Sequence, residues 1–417
     1  MIRPQDVVEY RKRRNLSRRQ LASATGLTEG KIWRIENKGN ISVDEEKLLR
    51  LVGVIPTEDV PQTPTPIVAP PPTPTPAPVI VSEPIEVDLA DLAKRAERKY
   101  ERYVSNSELQ TFKRCRRKWW LAWMRGLRER HESPVGVRQI GNRGHRALAE
   151  HYVPGGPPSG QHLLDALERL IVLDRAEALQ AGFTDETMKQ FEKDADLERV
   201  MLEGYLQWLT ETGADSDLKV IAPEAYLEVP LNEFSEGQVA IIGKLDVRVR
   251  RLSDNTILFL DHKFLAEFSK TTRLLPIMEQ MIHYQLLETM SAEEGDHVSG
   301  ALYNMIRRVK RTGNAQPPFY QRVEVQHNTH TLNNYRERLT GEISAMLITE
   351  DSLRNGASHQ EIAYPTPTRD CYWDCAFLSV CSMFDDGSRA EDMLRDLFVS
   401  GDPLSYYMTE VIGENEL

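Results

Sequence analysis

Two aspartates and a lysine draw attention because they interrupt strongly apolar runs. Val239 to Arg250 and Ile257 to Lys263 are β-branched, largely apolar stretches separated by Ser253, Asp254 and Asn255, a pattern that predicts a β-hairpin. If the turn centres on Ser253 and Asp254, Asp246 falls opposite Asp261. Lys263 then shares the face of Asp261, because side chains along a strand alternate with a period of two. Like charges directly opposite one another are destabilising unless something neutralises them. A hard divalent cation such as Mg²⁺ or Mn²⁺, which prefers oxygen ligands, would do so. The competing reading is a solvated pair on an exposed strand. Against it, Leu260 and Phe264 flank the acid-x-lysine triplet in a run where charge is costly without a role.

Other elements must hold that set in place. A helix expected at about 273–290 carries Gln280 and Tyr284, four residues apart on one face and both able to hydrogen-bond. A strand is expected at about 220–229 and another through Gly300 to Asn304. Beyond the Pro- and Gly-rich stretch Pro154–Gly160, residues of about 161–212 look helical.

In this order the residues resemble the PD-(D/E)xK nuclease superfamily, in its RecB-like branch, over roughly residues 103–385. Gly141-Asn142-Arg143-Gly144-His145 resembles the histidine-bearing first helix. Gly243-Lys244-Leu245-Asp246 resembles the first acidic motif, Asp261-His262-Lys263 the (D/E)xK motif, and Gln280-x-x-x-Tyr284 the Q-x-x-x-Y helix. The resemblance implies an α/β, restriction-endonuclease-like core of αβββαβ order with helical insertions. It also implies His145, Asp246 and Asp261 as metal ligands, helped by the main-chain carbonyl of His262. Lys263 would activate the attacking water or stabilise the transition state, and Gln280 and Tyr284 would position DNA or the lysine. Phosphodiester hydrolysis has need of such a set: a water of lowered pKa and a cation against developing negative charge. For His145 the plain alternative is an exposed helix histidine. Glu150 and Glu224 are weaker candidates, each better read as an ordinary surface or strand-edge acid.

The chain has four cysteines: Cys115, then Cys371, Cys375 and Cys381 more than 250 residues later. One early and three late cysteines resemble the iron–sulfur staple of AddB-type and CRISPR-associated exonucleases, in which a 4Fe–4S cluster ties the chain ends together. Here three residues separate Cys371 from Cys375, where that family has two, and Zn²⁺ on four thiolates is the rival. Two separate disulfides or four free thiols are the plainer readings. Around Cys115, the cations Arg114, Arg116, Arg117 and Lys118 lie among Phe112, Trp119, Trp120 and Trp123. That mixture suits a single-stranded nucleic-acid track, although Phe112, Trp119 and Trp123 equally read as the buried stripe of an amphipathic helix.

The net charge of −11 is unevenly spread. Residues 1–55 carry +5 and residues 94–130 carry +9, which leaves −25 for the rest. Local basic islands can attract a polyanion whatever the overall sign. Residues 56–84 hold 11 of the 24 prolines and neither glycine nor a basic residue, the composition of an extended linker. It separates a small all-α unit, 1–55, from a nuclease domain at 85–400, with an acidic tail at 401–417. The first unit resembles the phage-repressor (Cro-type) helix-turn-helix family through Leu21-Ala22-x-x-x-Gly26-Leu27 and Ile32-x-x-Ile35-Glu36-Asn37. That resemblance implies DNA contacts from Arg18, Thr28, Lys31 and Arg34; a docking module is the alternative.

No run of 18 apolar residues and no apolar N-terminal run occur, so a membrane partner and a secretory signal are not expected. A cytoplasmic setting, in a bacterial cell or phage-infected host, is the expectation. The combined resemblances imply an Mg²⁺- or Mn²⁺-dependent deoxyribonuclease acting on single strands or duplex ends. Its setting would be phage or mobile-element DNA processing, recombination or repair. No G-x-x-x-x-G-K-[ST] motif occurs, so unwinding would need a partner helicase, and a recombinase is a further expected partner. The alternative is a DNA-binding regulator with a catalytically silent nuclease-like domain.

Overall fold

Long β-branched runs interrupted by amphipathic stretches yield a mixed sheet flanked by helices. The computed structural model describes residues 98–408, apart from 156–159 and 236–237. Near the N-terminus it describes 2–13, 17–25, 27–39, 41–42, 45–46, 49 and 54. Two compact units emerge, Met1–Val81 and Ser82–Leu417. The proline-rich stretch 56–84 and residues 409–417 lie outside the described residues.

The first unit contains α1 (Pro4–Arg13), α2 (Arg18–Thr25) and α3 (Glu29–Lys38) around buried Val7, Leu21, Ile32 and Ile35. The Thr28 hydroxyl accepts the Lys31 N–H at 3.3 Å, which caps α3. Gly39 ends it in the left-handed conformation, φ 73°. Gly26 and most of the last helix expected through Leu48 and Leu51 lie outside the described residues, although Leu49 is buried in this core.

In the second unit β1 (Arg102–Ser105) leads into α4 (Asn106–Arg114) and α5 (Arg116–Trp119), followed by β2 (Leu127–Glu129). Next come α6 (Val137–His151), α7 (Gly160–Gln180) and α8 (Asp185–Thr212). Then follow β3 (Leu218–Pro230), β4 (Val239–Arg251), β5 (Ile257–Leu265), α9 (Glu279–Ser291), β6 (Val298–Arg307), β7 (Tyr320–Val325) and α10 (Thr329–Arg354). A short β8 (Phe398–Ser400) pairs with β2. The large sheet runs β1-β4-β5-β6-β7, with β3 also on β4. The α6-β3-β4-β5-α9-β6 core matches the expected αβββαβ order, while β1 and β7 were not foreseen. One face of the sheet packs on α9 and α10 through Phe259, Met281, Leu287 and Leu339. The other packs on α6, α7 and α8 through Leu148, Leu167, Leu202 and Leu260.

Candidate active site

The site lies where β4 changes partners. β3 pairs along nearly the whole of one β4 edge. On the other edge, residues 239–242 pair in parallel with β1, and residues 247–250 pair antiparallel with β5. Between them, Gly243, Lys244, Leu245 and Asp246 face a fork. The hairpin register agrees with the turn at Ser253–Asp254, since Val247 pairs with Leu260. The ladder ends there, however, so the two aspartates are not a paired rung. They sit one step beyond it, and Asp246 Oδ2 accepts the His262 N–H at 2.6 Å in place of a strand partner.

Around the fork the side chains converge on one cleft of about 700 Å³, lined among others by His145, Glu224, Lys244, Asp246, Asp261, Lys263, Gln280, Tyr284 and Tyr406. Asp246 Oδ1 lies 3.2 Å from His145 Nδ1 on α6. Lys263 Nζ lies 2.7 Å from Asp261 Oδ2. The Gln280 amide reaches the Tyr284 hydroxyl at 3.3 Å. Burial alone would raise the Asp246 carboxyl, but the facing His145 ring, helped by Lys263, outweighs it and holds the group well below the usual carboxylate range. Asp261 is pushed the other way, by burial and by its neighbour Asp246, against the pull of Lys263. His145 is raised: burial opposes its charge, and Asp246 more than compensates. Burial likewise opposes the Lys263 charge, yet Asp261 and Asp246 together raise its pKa, so the group is an ammonium at neutral pH.

Two acids pushed apart in pKa beside a fixed cation form an arrangement suited to phosphoryl chemistry. Residues 103–382 match the family described as the PD-(D/E)XK nuclease superfamily. The chain belongs to that superfamily. Comparison with curated proteins gives no match. Most members of the superfamily are metal-dependent nucleases acting on nucleic acid, which fits a cleft that sets carboxylates beside cations.

The donor set fits a hard divalent metal. Apart from the Lys263 ammonium, no described donor reaches the Asp261 carboxylate. Because the His262 N–H faces Asp246, its carbonyl lies on the same open strand edge. Asp246, Asp261, the His262 carbonyl and His145 would therefore offer mostly oxygen to Mg²⁺ or Mn²⁺. With Asp246 engaged by His145 and Asp261 by Lys263, no three described His, Cys, Asp or Glu side chains converge as a ready-made metal cage. Metal binding would draw the carboxylates from these partners. The His262 side chain contributes nothing to the cleft. It turns to the opposite sheet face, with Nδ1 2.9 Å from Asn304, and burial lowers its pKa to about 3. Asn304, Tyr205, Tyr152, Asp215 and Arg322 continue a buried polar layer behind the nuclease motif.

Three residues contribute more than their sequence suggests. Gly243 is where α9 touches the fork: a Cβ there would lie 2.6 Å from Leu287 and 3.0 Å from the Tyr284 ring. His283, buried next to Tyr284, donates from Nε2 to the Ile242 carbonyl at 3.3 Å and so fixes α9 over the fork. Glu224 belongs to the cleft rather than to an ordinary edge. It falls opposite Asp246 on β3 with φ 47° and pairs with Lys244 at 2.6 Å. Glu150 stays on the surface and is ion-paired with Arg169. No sequence signal marks His283, but the glycine before Lys244-Leu245-Asp246 hinted at a close approach.

The basic track expected around Cys115 is largely neutralised. Arg114 and Lys118 pair with Asp374, and buried Arg117 is held by Asp385 at 2.7 Å. Arg116 lies over the Phe112 and Tyr364 rings. Trp119 is fully buried, and Trp120 stacks on His359. In the first unit, Arg18 and Arg34 are engaged by Glu36 and Glu45, and the Thr28 hydroxyl is used as a cap, leaving Lys31 exposed. No disulfide joins any of the four cysteines. The Cys115 segment nevertheless packs on the late cysteine loop: Cys115 Sγ accepts the Thr366 N–H at 3.5 Å, and Arg117 donates to the Cys381 carbonyl at 3.0 Å. Residues 401–408, expected to open an acidic tail, instead line the fork region, with Leu404 and Tyr407 buried against Ala240 and Ile242.

Proposed function

We propose that the chain is a metal-dependent DNA nuclease, an exonuclease working on single strands or ends, in DNA processing of the recombination or repair kind. The observation that carries the reading is the meeting of Asp246, Asp261, Lys263 and His145 in one cleft beside Gln280 and Tyr284. Bound Mg²⁺ or Mn²⁺ would lower the pKa of a water molecule and offset negative charge on the phosphate. Asp246, Asp261 and the His262 carbonyl would hold it, with His145 completing the set. Lys263, kept cationic by its two acidic neighbours, acts as charge stabiliser for the pentacovalent phosphorus rather than as base. The Tyr284 hydroxyl and the Gln280 amide orient the scissile strand.

The four cysteines are assigned to a 4Fe–4S staple, with Zn²⁺ as rival occupant. The clasp of Arg117 on Asp385 and on the Cys381 carbonyl supports a structural role at that place. The N-terminal helices are assigned to DNA tethering as a helix-turn-helix.

The test is cleavage of end-labelled single- and double-stranded DNA, and of RNA, with Mg²⁺ or Mn²⁺. Lys263→Ala and Asp261→Asn should each lower the rate by roughly a hundredfold or more while the fold survives. Cleavage that is equal in the Lys263→Ala variant, or absent in the native chain, would favour a DNA-binding regulator. Anaerobic purification with iron, sulfide and zinc analysis separates the two cysteine assignments, and Cys115→Ser should release whichever metal is present.

A further inference from the structure

The expected basic track is largely spent on internal ion pairs, yet another basic segment is not. From His297 to Val323 the chain has no Asp or Glu but carries Arg307, Arg308, Lys310, Arg311 and Arg322. Arg322 is neutralised by Asp215 at 2.7 Å. The other four lie at the end of β6 and in the connection to β7, and none has a carboxylate partner among the described residues. Glu267, just after β5, is paired with Lys270, and Glu324, on β7, with Arg251.

These cations are nonetheless held in place. Arg307 donates to the carbonyls of Ala266 and Gln316, at 3.3 and 2.7 Å. Arg308 gives its main-chain N–H to Leu265 at 2.7 Å and its Nε–H to the Phe264 carbonyl at 2.9 Å. The Arg311 guanidinium lies 4.0 Å over the Phe319 ring and donates to the Tyr320 hydroxyl. Lys310 is exposed. Carbonyls and rings thus fix three guanidinium groups without cancelling their charge, so little ordering remains for a ligand to impose. Arg308 is half-buried, and its surroundings weaken rather than favour its charge; a partly dehydrated cation without a counter-ion is costly. Its anchor, Phe264, directly follows Lys263, and Met305 pairs with Lys263 two residues before Arg307. The cations therefore start about 7 Å along the strand from the lysine.

We propose that Arg307, Arg308, Lys310 and Arg311 bind the phosphates of the nucleic-acid strand where it passes out of the active-site cleft. The inference rests on the nuclease reading for its choice of anion. The contacts are with backbone phosphate and not with bases, because the neighbouring rings of Phe319 and Tyr320 are already covered by Arg311.

The experiment is fluorescence-anisotropy titration of labelled single-stranded and duplex oligonucleotides by the full chain in EDTA, across a range of salt concentrations. Each lost phosphate contact should lower the slope of log affinity against log salt by about 0.7 to 0.9. Lys310→Gln, at an exposed position that cannot compromise the fold, should lose one such increment. Arg308→Gln/Lys310→Gln should lose about twice that and bind more weakly. Lys189→Gln/Lys193→Gln removes the same charge from an exposed stretch of α8 and should leave the slope near that of the native chain. Native slopes in both loop variants, or an equal loss in the α8 variant, overturn the proposal. A native chain that cleaves nothing, but whose loop variants lose slope, would defeat the nuclease reading and leave this binding surface standing.

Discussion

Replacing Gly144 by alanine tests how α6 delivers His145 to Asp246. A Cβ at this position would lie 2.6 and 2.8 Å from the Cε2 and Cε1 atoms of Phe264, and closer still to Cζ. Ordinary carbon contacts are about 3.5–4.0 Å, so ring or helix must yield by roughly 1.5 Å. The ring has little room, because it is buried in the core between α6 and β5, and its own carbonyl is tied to Arg308. Overpacking of this kind costs about 1–3 kcal/mol, while alanine gains about 1 kcal/mol of helix propensity. With contacts this short the clash belongs in the upper half of that range and should win, giving net destabilisation of about 1–2 kcal/mol. Gly141, on the same helix, supplies the contrast: a Cβ there meets nothing within 4 Å. Gly141→Ala should therefore stabilise by about 0.5–1 kcal/mol. Urea unfolding measures both. Cleavage should fall in Gly144→Ala, as His145 on one side and Lys263 on the other are displaced, and hold in Gly141→Ala. Phe264→Leu should recover part of the loss in the Gly144→Ala background, with a coupling of about 0.5 kcal/mol or more. If the two glycine variants shift stability with the same sign, the close approach of α6 to β5 is not what sets this site.

His283 is buried, and its pKa is depressed to about 4, against about 6.5 when unfolded. The unfolded chain takes up the proton first as pH falls, so stability is full above about 6.5 and is lost toward 4. Between pH 7.5 and 5 the loss from this one group is about 2 kcal/mol, and His283→Gln should flatten the pH dependence of urea unfolding by that amount. Arg322 bonds Asn304, Tyr205, Asp215 and the Ala214 carbonyl behind the nuclease motif. Arg322→Leu strands Asp215 in that layer and should cost about 3 kcal/mol by the same measurement.

Strands β3 to β6 were legible because their apolar runs are bounded by turn residues, and the hairpin register followed from one turn. The fork was not legible. Parallel pairing of Arg102–Ser105 with Val239–Ile242 joins segments far apart in sequence, and nothing in either run announces the other. The same distance hid the fate of the basic island. Lys113 is matched by Glu279 and Glu342, Arg117 by Asp385 and Arg125 by Glu391, acids contributed by remote segments. Counting charge in a window assumes that a window's neighbours are its partners, which folding does not respect. The basic segment after β6 carried a usable signal, the complete lack of acid over His297–Val323, but Arg322 shows that such a signal still needs the structure to sort its members.

The fork gives Asp246 two separable duties. A strand edge without a partner leaves N–H groups to be satisfied elsewhere, and a buried unpaired donor costs about 1–3 kcal/mol. Where β4 and β5 part, the Asp246 carboxylate takes the His262 N–H at 2.6 Å and also faces His145 at 3.2 Å. One side chain thus closes the ladder and opens the cleft. Asparagine can still accept the main-chain hydrogen through its amide oxygen, but it cannot supply the negative charge. Alanine can do neither. Asp246→Asn should therefore abolish cleavage and keep the His262 hydrogen bond, but it gives up the charge that His145 and Lys263 stabilise, so it should lower the unfolding free energy at neutral pH and less so in acid. Asp246→Ala should abolish cleavage and lose about 1–3 kcal/mol more than asparagine does, with faster amide exchange at His262. Equal stability of the two variants would mean that water satisfies the His262 N–H. The carboxylate would then be held at the fork by His145 alone.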